Sequence, residues 1–110
     1  MKQVKVRSSV GNNSTDISNA DCHIFIPAIA ELTSSVASEP YVSEGTLISM
    51  FSTNTSRICY TFEGKAVQYW TRSPTIGYTN YVYRISDTGA PQPITSMSTP
   101  DVSARIMISM

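Results

Sequence analysis

Trp70 and Arg72 stand two residues apart in Tyr69-Trp70-Thr71-Arg72-Ser73-Pro74, and Arg105 sits in Ser103-Ala104-Arg105-Ile106-Met107-Ile108. An indole can stack on a ligand, and a guanidinium can fork onto a carboxylate or phosphate. The competing role is structural: a buried ring, and Arg forks bonded to loop carbonyls or stacked on aromatics. A chain with little regular structure leaves many carbonyls in need of donors, and each Arg offers five N–H groups. Trp70, Arg72 and Arg105 are therefore assigned to the scaffold.

Catalytic chemistry finds less support. His23, the single histidine, follows Cys22. Neighbours in a strand point to opposite faces, so this pair cannot form a nucleophile–base dyad. No spacing of Asp and Glu suggests acid–base work by paired carboxylates. Cys22 and Cys59 are too few for a disulfide framework and read as two buried thiols, with a bond between them the minor alternative. No second Cys or His lies at ligand spacing, so zinc is not expected. No catalytic residue, metal or cofactor is assigned.

The better binding candidates lie in polar segments after Pro74. Thr75-Ile76-Gly77-Tyr78-Thr79-Asn80 and Gln92-Pro93-Ile94-Thr95-Ser96-Met97-Ser98 flank a predicted strand pair. Tyr offers rigid contact area, and Ser, Thr and Asn offer adaptable hydrogen bonds. Thr75, Tyr78, Asn80, Tyr83, Gln92 and Thr95 are the expected ligand contacts.

The elements that must hold these residues follow from the chain. Its 110 residues suit one domain over 1–110 with one modest core. The apolar share of 41% is slightly low, the charged share of 15% clearly low, and Ser and Thr fill roughly a quarter of the positions. That balance suits a β-rich extracellular or virion-type surface. With zero net charge there is no basic field for a nucleic-acid backbone. No apolar run approaches the roughly 18 residues of a membrane helix. Met1-Lys2-Gln3-Val4-Lys5 lacks the apolar run of a signal peptide, so export is expected by lysis, by a non-classical route or as part of a longer chain.

Val4-Lys5-Val6-Arg7 alternates like an edge strand, and residues 1–9 are expected to pair with the closing strand or with a neighbouring chain. Residues 11–16 form a turn-rich loop. Residues 23–26 are a short strand stopped by Pro27, and residues 28–32 form one or two helical turns. A loop over 34–44 and a short helix or irregular segment over 46–51 follow. Residues 57–62 and 66–70 form a hairpin about Glu63-Gly64-Lys65, residues 79–86 a third strand, and residues 102–108 the closing strand. The prolines of 90–101 mark a loop or broken edge strand. The plan is α+β, with short helices followed by a twisted antiparallel β-meander.

These pieces resemble, from about residue 24 to 108, a widespread domain of unknown function of bacterial and phage proteins, usually the C-terminal part of longer chains. The resemblance rests on Ile24-Phe25-Ile26-Pro27, Glu31-Leu32, Phe51, Ser56-Arg57-Ile58, Trp70-Thr71-Arg72-Ser73-Pro74, the run Tyr81 to Gly89, and Ser103-Ala104-Arg105-Ile106-Met107-Ile108. It covers about three quarters of the chain. The family closes on Gly-(Val/Phe)-Arg-Pro-Ala-Leu, so Ser103 and Ile106 depart from its pattern. The resemblance implies a C-type-lectin-like fold, shared with formylglycine-generating enzymes and with the variable proteins of diversity-generating retroelements. The calcium-dependent lectin patterns Glu-Pro-Asn and Trp-Asn-Asp are replaced here by Glu39-Pro40-Tyr41 and Tyr69-Trp70-Thr71, so calcium is not expected. The reactive cysteine pair of the formylglycine-forming relatives has no counterpart.

The resulting expectation is a non-catalytic binding or display module of a phage virion or bacterial surface. Its partner is a protein or glycan on a cell surface, and retroelement diversification is one variant of the reading. The alternative is a decoration or tail protein that contacts neighbouring virion subunits only for assembly, and homo-oligomers are compatible with both. An orphan enzyme is the remote third reading.

Overall fold

The computed structural model describes residues 2–7, 17–36, 38–76, 81–96, 98–100 and 102–108. The first strand, β1 (Lys2–Arg7), pairs antiparallel with β2 (Ile17–Cys22), Val4 facing Ala20. The partner expected from the closing strand is thus supplied locally. The polar run Ile17-Ser18-Asn19-Ala20-Asp21-Cys22 hides its strand character, because it buries almost none of its side chains.

β3 (Ile24–Phe25) leads through Pro27 into α1 (Ile29–Leu32), whose four residues are all buried. The Ala28 amide donates to Glu31 Oε1 at 2.9 Å, closing the first turn from the third helical residue. Two 3₁₀ turns follow, Tyr41–Glu44 and Ser49–Phe51. α2 (Asn54–Arg57) is opened by Thr53, whose hydroxyl accepts the Ser56 amide at 3.2 Å. The expected strand from Arg57 is therefore shorter. β4 (Cys59–Tyr60) begins only after the helix, and pairs antiparallel with β5 (Ala66–Val67) around Gly64.

The main sheet has four strands in the order β8-β7-β6-β9. β6 (Tyr69–Pro74) and β7 (Tyr81–Ile85) are antiparallel, as are β7 and β8 (Pro91–Ser96). The register of β6 against β7 slips between Trp70 and Pro74. There the Thr71 hydroxyl donates to the Tyr83 carbonyl at 2.8 Å, and the Arg72 amide turns to Pro27 O at 2.9 Å. This bulge ties the sheet to the start of α1.

The closing segment is divided. β9 (Ser103–Ala104) runs parallel to β6, and β10 (Met107–Ile108) pairs antiparallel with β3. The continuous closing strand of a purely antiparallel meander is corrected by this split, which falls at Arg105-Ile106. An α+β domain with few short helices and mixed sheets is the architecture observed. Period-2 alternation sends Tyr69, Tyr83 and Ile85 inward, where they pack with Ile29, Leu32, Tyr41 and Phe51.

Candidate ligand-binding site

The chain has five arginines, and four of them hold its irregular segments. Arg57 donates Nε to Gly89 O at 2.9 Å and Nη1 to Phe51 O at 3.0 Å and Leu32 O at 3.2 Å, and it reaches Asn54 Oδ1. Arg72 donates to the carbonyls of Lys5 (3.0 Å), Ile26 (2.7 Å) and Glu44 (3.0 Å), and to Glu31 Oε1 at 2.6 Å. Arg105 donates Nη1 to Arg57 O at 3.1 Å and to the Tyr69 hydroxyl at 3.2 Å, while its guanidinium lies 4.8 Å from the Phe51 ring centre. Arg7 donates to Pro74 O, lies 5.2 Å from the Tyr41 ring centre, and places Nε 3.8 Å from Glu44 Oε2. Each fork gathers elements distant in sequence, because loop carbonyls without ladder partners need donors.

Two acids lie inside this frame. Glu31 is held by Arg72 and by Lys2, whose Nζ is 3.5 Å from Oε2. Glu44 is wholly buried, and burial pushes its carboxyl up to about 7; the charges of Arg7 and Arg72 pull the other way, while Glu31 adds to the rise. Burial also raises Tyr69, against a hydrogen bond and charge from Arg105.

Arg84 differs from the other four. It lies on β7, directly across from Trp70 of β6 and from Gln92 of β8. Direct cross-strand partners lean to the same face, so Trp70, Arg84 and Gln92 form a row on the face opposite Tyr69, Tyr83 and Ile85. Among the described residues the Arg84 side chain makes no hydrogen bond, ion pair or ring contact, and its Nε is shielded from water with no acceptor. A polar cleft of about 340 Å³ opens beside it, lined by Lys65, Gln68, Arg84, Ser86 and Asp87 among others. On the Trp70 side an apolar recess of about 310 Å³ is lined by Ile26, Trp70, Thr71 and Val82.

The family described as a domain of unknown function, DUF6273, matches residues 1–103. The chain belongs to DUF6273. None of the curated proteins and none of the solved structures matches it.

In this DUF6273 domain the expected ligand contacts separate. Tyr78 and Asn80 lie outside the described residues. Thr75 is buried, with its hydroxyl donating to Pro93 O and its amide to Tyr81 O at 2.9 Å. Tyr83 is buried too, edge-on to Tyr41 with ring centres 5.1 Å apart. Both pack into the interior, and the strand period that turns Val82 and Arg84 to the outer face turns Tyr83 inward. Gln92 stands in the outer row. Thr95 faces Val82 in the register of β7 and β8. Trp70, expected buried, is half-buried on the outer face, while Arg72 and Arg105 grip carbonyls and rings.

Arg84 was the residue missed. The alternation Tyr81-Val82-Tyr83-Arg84-Ile85 places it opposite the core side chains, and that signal was readable. Cys22 and Cys59 are free and half-buried. Among the described residues no group of three His, Cys, Asp or Glu could hold a metal ion, and no helix is long and apolar enough to cross a membrane.

Proposed function

We propose that this domain is a non-catalytic binding and display module of a phage virion or bacterial surface, with a protein or glycan as its ligand. The observation that carries the reading is the row Trp70, Arg84 and Gln92, set beside a polar cleft on a scaffold whose other arginines hold loops in place. An aromatic, a fork-shaped donor and an amide on one rigid face are a binding set, and preorganisation lowers the entropy lost on association. The C-type-lectin-like fold belongs to the same proposal. What supports it is the closing segment returning to β3 around short helices and a sheet. Retroelement diversification is its variant, and adenine-rich codons over residues 75–80 and 92–98 beside a template repeat would mark it.

A glycan and cell-surface binding screen tests the reading. Wild-type binding that weakens in Arg84→Ala or Gln92→Ala supports the sheet face, and loss in Tyr78→Ala or Asn80→Ala supports the neighbouring loop. Binding unchanged in all four variants counts against both surfaces.

A structural subunit serving assembly is the second reading. It is favoured by Ile24 and Ile108, direct cross-strand partners that are 62% and 71% exposed. Self-association by sedimentation that disappears in Ile108→Lys would favour it.

A further inference from the structure

We propose that Arg84 is the carboxylate clamp of a calcium-independent site for an acidic sugar of the hexuronate class, seated in the cleft between the β4–β5 hairpin and the end of β7. The inference rests on the reading of the domain as a binding module, and names its ligand chemistry.

The first observation is the contrast among the arginines. Arg7, Arg57, Arg72 and Arg105 each donate to backbone carbonyls, and Arg7 and Arg72 also face carboxylates. Arg84 has none of these partners, although it is half-buried and its Nε is already out of contact with water. A guanidinium left without an acceptor where water is partly excluded keeps an unmet capacity for charge-assisted hydrogen bonds. Its planar fork matches a carboxylate with two parallel bonds.

The second observation is the charge around it. Lys65 and Arg84 are two cations, Asp87 is one carboxylate, and no ion pair joins Asp87 to either among the described residues. The cleft therefore favours a single negative charge. A phosphate near two charges would meet Asp87 unfavourably.

The third observation is Asp87 itself, an exposed acceptor in the same cleft. A ligand that presents a carboxylate to Arg84 must offer hydrogen-bond donors to Asp87. A sugar acid does so with its ring hydroxyls. An acidic peptide offers only its backbone N–H groups, set beyond a methylene stem and not on a ring beside the carboxylate. The cleft of about 340 Å³ is at the small end of ligand pockets, which suits one ring.

The test is titration of the full chain with sodium glucuronate, followed by amide NMR in the presence of EDTA. Glucose serves as the ring without a carboxylate, and an acetylated glutamate peptide as the carboxylate without ring hydroxyls. A glucuronate-terminated disaccharide separates a chain-end ligand from the free sugar acid: tighter binding of the disaccharide assigns the chain end, and equal binding the free acid. Saturable shifts at residues 65–68 and 84–87 are expected with glucuronate, at least tenfold weaker binding with glucose and with the peptide, and loss in Arg84→Ala. Arg84→Lys keeps the charge without the fork and is expected to weaken binding about tenfold. Asp87→Asn is expected to narrow the preference for glucuronate over the peptide. Should Arg84→Ala fail to fold, Arg84→Lys and Asp87→Asn decide on folded protein.

Equal binding of glucose overturns the clamp, as does glucuronate binding unchanged in Arg84→Lys. Peptide binding as tight as glucuronate overturns the sugar assignment. Surface binding that survives Arg84→Ala, with no glucuronate response, overturns this inference and leaves the module reading standing. A wild-type chain that binds neither glucuronate nor any surface overturns both.

Discussion

Glu44 Oε2 lies 3.8 Å from Arg7 Nε, with both side chains wholly excluded from solvent. At that separation the attraction does not offset desolvation, and the Glu44 carboxyl is pushed up to about 7 from 4.5. The folded state therefore binds this proton more tightly than the unfolded chain does. The stability it contributes is complete below about pH 4.5 and is lost as pH rises through 7. The loss amounts to about 3 kcal/mol. Urea unfolding at pH 5 and pH 8 measures it, and Glu44→Gln is expected to flatten the difference. A Gln variant whose stability falls as steeply as the wild type would refute the assignment.

Gly89 and Gly64 both have φ of 85°, yet their replacement by Ala is expected to differ. A Cβ on Gly64 meets nothing within 4 Å, so only the left-handed backbone opposes it, at about 1 kcal/mol. A Cβ on Gly89 would stand 1.8 Å from the Asn54 carbonyl oxygen, which forces α2 away from a turn whose carbonyl Arg57 holds. The expected cost is about 3 kcal/mol or more. Paired thermal melts of the two variants check the contrast, and equal melting temperatures would contradict it.

Tyr69 and Arg105 act on one carbonyl. The Tyr69 hydroxyl donates to Arg57 O at 2.6 Å, and Arg105 Nη1 reaches the same oxygen at 3.1 Å. Tyr69→Phe is expected to cost about 1–2 kcal/mol. In a cycle with Arg105→Ala the two losses should be non-additive by more than about 0.5 kcal/mol. Additive losses would show that the hydroxyl and the guanidinium work independently.

Thr75→Val is expected to behave as a stability variant, destabilised by about 1 kcal/mol through the lost bond to Pro93 O, with any ligand affinity unchanged. An affinity change without a stability change would return Thr75 to the binding surface.

The sheet was the most readable part of the fold. Tyr81-Val82-Tyr83-Arg84-Ile85 carries a period of two, and β7 lies where that period puts it. The single strand expected over 66–70 divides instead into β5, paired with β4, and β6, which runs on to Pro74 and pairs with β7. β2 was not readable, since a strand that buries almost nothing has no apolar alternation to betray it. α2 could have been found from Thr53 and Ser56, three residues apart, in place of the strand expected from Arg57. The Arg7, Glu31, Glu44 and Arg72 cluster left no local trace. Its members are brought together by β1, α1, a 3₁₀ turn and β6, and no spacing within one element records that meeting. The composition of 75–80 marks Thr75 as polar loop chemistry and does not record its burial, whereas the strand period of 81–85 does place Tyr83 inside.

The arginine grips have a consequence for how freely this sequence can vary. Arg57, Arg72 and Arg105 fasten mostly onto backbone carbonyls, at Leu32, Phe51, Gly89, Lys5, Ile26, Glu44 and Arg57. Every amino acid supplies that same oxygen, so an exposed anchor such as Lys5 can exchange its side chain while the grip persists, whereas the core residues Leu32 and Phe51 and the left-handed Gly89 cannot. A frame fastened in this way leaves its exposed positions free to choose what they meet, while the guanidinium groups and the core keep its shape.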